Sequence, residues 1–161
     1  MPTIEAEIVV DAPIETVFEY VAAPENHAEM NPNVVDVTDV EPLPNGGHEA
    51  DFGFRMLGRT LHGHVRDVEF DVPRLRVFDV DGDVAARTTY ELATVAGGTR
   101  VRFTNEIEPP GAGLVGRLAG SLLGRYMQRN AESTLRNAKR ILEAAAVEGR
   151  PAPTGSGASA R

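Results

Sequence analysis

Cysteine is absent from this 161-residue chain. Disulfides, thiolate nucleophiles and cysteine-ligated zinc are thereby excluded, and the absence fits a reducing cytosol. Lysine is almost absent as well: of 16 basic residues, all but Lys139 are arginine. Together with 24 acidic residues this gives a formal net charge of −8, a sign that repels phosphate backbones, so no nucleic-acid partner is expected. The acidic, lysine-poor balance is compatible with a high-salt cytoplasm, and high genomic GC content would also favour arginine. No apolar run is long enough to span a bilayer, and no basic segment followed by an apolar one reads as a signal peptide, so the cytoplasm is the expected location. No internal repeat, glycine-rich phosphate loop or nucleophile–base pair stands out. The balance that remains, 42% hydrophobic and 25% charged, is that of one ordinary globular domain.

The pattern of what is present divides the chain into short elements. Thr3 to Val10 alternates and then turns apolar, which predicts a strand. Asp11 is the expected N-cap of a short amphipathic helix with Pro13 and Glu15 in its first turn and Ile14, Val17, Phe18 and Val21 at helical spacing. Pro24 restarts a second short helix through Met30, ended by Asn31-Pro32. Period-two segments follow: Val34 to Pro42, His48 to Leu57, Leu61 to Val72, Leu75 to Val80, Val84 to Val95 and Thr99 to Glu108. The breaks at Asn45-Gly46-Gly47, Gly58-Arg59, Pro73-Arg74, Asp81-Gly82-Asp83 and Gly97-Gly98 have tight-turn chemistry, so consecutive strands should pair antiparallel. From about Leu114 to Ala146 no proline occurs and one long helix is expected; the Pro/Gly/Ser/Ala-rich stretch ending the chain reads as a disordered tail, residues 148–161, after a domain at 1–147.

The succession of one strand, two short helices, a six-strand meander and a long helix resembles the START-like, birch-pollen-allergen-like (SRPBCC) superfamily. The wording is similar too, in IVVDAPIETVFEYVAAPENHAEMNP, in VEFDVPRLRVF, and in GGTRVRFTNEIEPPG followed by GRLAGSLLGRYMQRNAESTLRNAKRILE. The resemblance spans about Thr3 to Ala146 and is strongest toward the polyketide cyclase/dehydrase and lipid-transport group. It implies an α+β helix-grip fold: an antiparallel curved sheet of about seven strands wrapped around the long C-terminal helix. It also implies an internal cavity for a hydrophobic small molecule. Members of that group include carriers, cyclases and proteins of other roles, so the fold alone does not choose among them.

On the long helix, Met127, Ala131, Thr134, Ala138, Ile141 and Ala145 form one stripe opposite Arg129, Glu132, Arg136, Lys139, Arg140 and Glu143. Extended backwards, the stripe runs through Gly124, Gly120 and Gly116. Three interior helix glycines call for close helix–sheet contact, for unfilled space beneath the sheet, or for a membrane-type glycine packing motif, which Arg117 and Arg125 interrupt. Leu114, Leu118 and Leu122 fall on the opposite sector. They are either exposed, as a partner surface, dimer contact or transient membrane-touching lid, or tucked in by a kink.

The candidate ligand-binding residues are Phe52, Phe54, Phe103 and Met127 as apolar wall, Gly120 and Gly124 as space, and His64, Arg66, Tyr90 and Asn105 as polar handles. If Val68 and Phe70 point inward, strict alternation turns His62, His64 and Arg66 inward with them. A two-residue turn at Gly58-Arg59, pairing Gly53 with His64 and Arg55 with His62, instead sets the histidines opposite Phe52 and Phe54; a slip or bulge reverses the outcome. The reading favours an inward His64 and Arg66, the alternative for Arg66 being a surface pair with Asp51. His62-x-His64 lacks a third ligand, so no metal is expected, and no cofactor is. Binding of a lipid-, polyketide- or aromatic-like compound by a monomer or weak homodimer is the first expectation. A cyclase/aromatase or dehydratase using His64, Tyr90 and Arg66 is the alternative, and an interaction or chaperone-like module using the leucines a third.

Overall fold

The computed structural model describes residues 3–108 and 114–148, with backbone alone for 114–121. Its elements are β1 (Thr3–Val10), α1 (Ile14–Ala22), a 3₁₀ turn (Pro24–Asn26), α2 (His27–Met30), β2 (Val34–Pro42), β3 (His48–Met56), β4 (Arg59–Asp71), β5 (Leu75–Gly82), β6 (Ala86–Val95), β7 (Gly98–Ile107) and α3 (Leu114–Val147). The strands form one seven-stranded antiparallel sheet in the order β1-β7-β6-β5-β4-β3-β2, and α3 packs across it: the helix-grip architecture. Short connections make β2 to β7 a meander, while the two short helices carry the chain from β1 at one edge to β2 at the other.

Three local expectations need correction. Asp11 does not cap α1: the N-cap is Pro13, without a side-chain bond, and the Asp11 amide donates instead to Glu143 Oε2 at 2.8 Å. The β3–β4 turn is Leu57-Gly58 rather than Gly58-Arg59. Both residues have positive φ (52° and 77°), as a two-residue turn that follows the strand twist requires. The turn pairs Gly53 with His62 and Arg55 with Thr60, two positions from the expected register, which leaves the faces as they were.

The third correction decides what lines the interior. Pairing of β4 with β5 shifts between Asp67 and Glu69, a bulge that inserts one residue. Before it the odd positions Leu61, Gly63 and Val65 face inward; after it Phe70 does. Phe70 and His64 therefore do not share a face despite their even spacing, and Val68 is 39% exposed.

The packed core is lopsided. Val17, Phe18 and Val21 of α1, Phe78, Leu92 and Val101 of the sheet, and Leu135, Ala138 and Leu142 of α3 form the main cluster. It occupies the end gripped by the C-terminal half of α3. Among the described residues, the packing under the earlier part of the helix is sparser, with Ile4, Ile107 and Ala131 as the buried members of a small second cluster.

Candidate functional site

Where the core thins, the sheet and α3 enclose a cavity of about 600 Å³. Its wall is mostly apolar: Phe52 and Phe54 from β3, Val65 from β4, Phe78 and Val80 from β5, Tyr90 from β6, Phe103 from β7, and Leu123 and Met127 from α3. Sequence builds this wall through alternation, each strand sending every second side chain inward. Gly63 belongs to it for a steric reason: a Cβ there would stand 3.0 Å from the Phe52 ring, so the glycine lets that ring lie across β4.

At the closed end the wall becomes polar. Arg76, two residues before Phe78 on β5, is 1% exposed. Its Nε donates to Asp67 Oδ1 at 2.7 Å, and its Nη1 donates to the Val21 carbonyl and to His27 Nε2, each at 2.8 Å. The guanidinium carbon lies 4.4 Å from the centre of the Phe78 ring, a cation–π contact. Asp67 is the last of the inward odd positions of β4 before the bulge, and its second oxygen accepts the His48 amide at 2.8 Å. Gly47 makes room for it, since a Cβ there would come within 2.5 Å of the Asp67 Cβ.

The Val21 carbonyl also lies 3.1 Å from His27 Nε2. Two N–H groups cannot face each other at 2.8 Å, and arginine keeps its protons, so Nε2 accepts from Arg76 and the imidazole proton resides on Nδ1. Burial, reinforced by the Arg76 charge, lowers the His27 pKa to about 3, so the ring is neutral near neutrality. Tyr90, the Cα partner of Arg76 across β5–β6, is 2% exposed. Burial pushes its phenol up to about 12, against the opposing pull of Arg76. Its ring packs edge-on against Phe103 at 5.2 Å and near His27 at 6.3 Å. Among the described residues its hydroxyl has no hydrogen-bond partner.

Two pairs of polar side chains on the wall bond each other. Thr88 Oγ1 donates to Asn105 Oδ1 at 3.3 Å, and the amides of Asn31 and Asn130 bond each other reciprocally at 3.0 and 3.1 Å, tying α3 to the segment after α2.

The model of one protein family, described as polyketide cyclase / dehydrase and lipid transport, matches residues 1–143. The chain belongs to that family.

Solved structures share the fold of this polyketide cyclase/dehydrase and lipid transport family member at low identity. The protein TTHA0849 from Thermus thermophilus is 23% identical with a TM-score of 0.79, covering 89% of this chain and 99% of its own. The Zhui aromatase/cyclase from Streptomyces sp. R1128 is 19% identical with a TM-score of 0.74, covering 89% and 94%. A START superfamily protein from Mycobacterium smegmatis is 16% identical with a TM-score of 0.61, covering 81% and 94%. No curated protein matches the chain.

Within this family member, Phe52, Phe54, Tyr90, Phe103, Asn105 and Met127 all lie on the cavity wall. His64 and Arg66 do not; the expectation that they point inward is overturned. His64 projects from the outer face of the sheet, its Nδ1 2.8 Å from Asp51 and its Nε2 2.9 Å from Glu49, and these carboxylates, Asp51 first, raise its pKa. Arg66 bonds Glu49 at 3.3 Å on the same face, rather than Asp51. His62 stands at the mouth with its side chain 77% exposed.

Gly124, expected to leave space on the wall, is not among the lining residues, and a Cβ built there would meet no atom of the described residues beyond its own helix backbone within 4 Å, so close contact with the described sheet is not what makes that position glycine. Leu122 is 67% exposed. The side chains of Leu114 and Leu118, the positions Gly116 and Gly120, and the tail from Gly149 lie outside the described residues.

Sequence reasoning missed His27, Asp67 and Arg76. Arg76 was the visible one: an arginine two residues before Phe78, on the parity of an inward-facing strand, needs a buried counter-charge.

Proposed function

We propose that this chain binds a hydrophobic small molecule, of lipid, polyketide or aromatic type, inside the cavity. The cavity of about 600 Å³ with its mainly apolar wall carries the reading. That volume lies within the ~300–1,000 Å³ range of small-molecule sites, and burial there contributes roughly 25 cal/mol per Å² of apolar area. The family's description, which includes lipid transport, supports it.

The test is titration with N-phenyl-1-naphthylamine, an uncharged apolar dye. Saturable one-to-one fluorescence enhancement is expected. An unsaturable or absent response at micromolar protein sinks the reading.

A cyclase or aromatase is the second reading, favoured by the likeness to an aromatase/cyclase and by the unpartnered Tyr90 hydroxyl inside the cavity. His64 and Arg66 drop out of it, since both stand outside. Conversion of a reactive poly-β-ketone by the wild type, lost in Tyr90→Phe, would select this reading over simple binding.

A further inference from the structure

Three polar groups at the closed end of the cavity can each donate a hydrogen bond. His27 carries its proton on Nδ1, because Arg76 occupies Nε2, and Nδ1 has no partner among the described residues. Arg76 uses Nε and Nη1 within the protein and leaves Nη2 without an acceptor among the described residues. Tyr90 adds a hydroxyl that can donate. All three side chains line the cavity and adjoin one another: Arg76 and Tyr90 are register partners, and His27 bonds the first and packs on the second. The Asn31 and Asn130 amides, by contrast, bond each other.

Charge is already balanced there. Arg76 is neutralised by Asp67 at 2.7 Å, the pair being 1% and 0% exposed at the side chain, and His27 is neutral. A ligand carboxylate at this end would feel Asp67 as well as Arg76. It would lose its hydration without gaining a net counter-charge. An uncharged acceptor loses little hydration and satisfies donors that otherwise face an apolar space.

We propose that the cavity selects ligands with an uncharged hydrogen-bond acceptor, a ketone or equivalent carbonyl, presented to Tyr90, His27 and Arg76, with Asp67 acting as the filter against carboxylates. This deepens the reading of the cavity as a small-molecule host and rests on it.

Three probes of one shape test it by displacement of N-phenyl-1-naphthylamine near pH 7: 2-ethylnaphthalene, 2-acetylnaphthalene and 2-naphthoate. The ketone should bind about tenfold more tightly than the carboxylate and about 3- to 10-fold more tightly than the hydrocarbon. Tyr90→Phe should weaken the ketone by about 3- to 10-fold and leave the hydrocarbon within about twofold. A carboxylate that equals or outbinds the ketone overturns the inference while leaving the host reading intact. So does a Tyr90→Phe variant that weakens ketone and hydrocarbon alike. If none of the three displaces the dye, and the dye itself does not saturate, host reading and inference fall together.

Discussion

Asp67 and Arg76 form an ion pair, Oδ1 to Nε at 2.7 Å, with side chains 0% and 1% exposed. Two charges removed from water so completely are held by their mutual attraction and by the His48 amide, the Val21 carbonyl and His27. Removing one partner strands the other. Asp67→Ala should therefore cost about 3–5 kcal/mol in the urea unfolding free energy, whereas Asp67→Leu combined with Arg76→Met should recover most of it. A single variant losing under about 1 kcal/mol would contradict the buried pairing.

Stability should fall in acid through His27. Its pKa is about 3 in the folded protein against an ordinary value of 6.5, so between those values the unfolded chain binds the extra proton. The stabilisation of the neutral ring is fully present above about 6.5 and is lost as pH falls toward 3, at up to roughly 1.4 kcal/mol per pH unit. Chemical denaturation from pH 7 to 4 of the wild type and of His27→Gln checks this; parallel profiles would refute it.

Filling the cavity should abolish binding without unfolding the protein. Val80 lines the wall and is only half-buried, so a larger ring has space to enter. Val80→Phe should reduce affinity for N-phenyl-1-naphthylamine by tenfold or more, on the order of 1.4 kcal/mol, with the melting midpoint within a few degrees of wild type. Undiminished dye binding would place the dye elsewhere.

The outer-face cluster should be dispensable for the ligand. His64 and Arg66 meet Asp51 and Glu49 on the side of the sheet away from the cavity. His64→Ala with Arg66→Ala should leave dye affinity within about twofold and cost no more than about 1 kcal/mol of stability, as exposed pairs do. A large loss of affinity would reverse the assignment of faces.

Gly47 should tolerate no side chain. A Cβ would lie 2.5 Å from the Cβ of Asp67, which is itself fixed by Arg76 and the His48 amide. Gly47→Ala should lower stability by about 1–3 kcal/mol, read from the urea midpoint. Wild-type stability would show that the Asp67 position is soft.

The order of strands and helices follows from local pattern alone. Thr3–Val10 and Val34–Pro42 emerge from it with the observed bounds, and the inward set Thr88, Tyr90 and Leu92 follows from alternation, because period two is a property of neighbouring residues. The amphipathic stripe of α3 is legible for the same reason, down to Ala131, Thr134 and Ala138. What local pattern could not carry was the extra residue at Asp67/Glu69, which inverts the parity of β4 and sends His64 and Arg66 outside while Asp67 goes in. A bulge is stable only if something distant rewards it. Here that is Arg76 nine residues on, the His48 amide nineteen residues back, and the space left by Gly47. Composition and period thus decided the scaffold, while tertiary pairing of groups far apart in the chain decided which polar side chains its hollow contains, because a charge can be buried only where its partners converge.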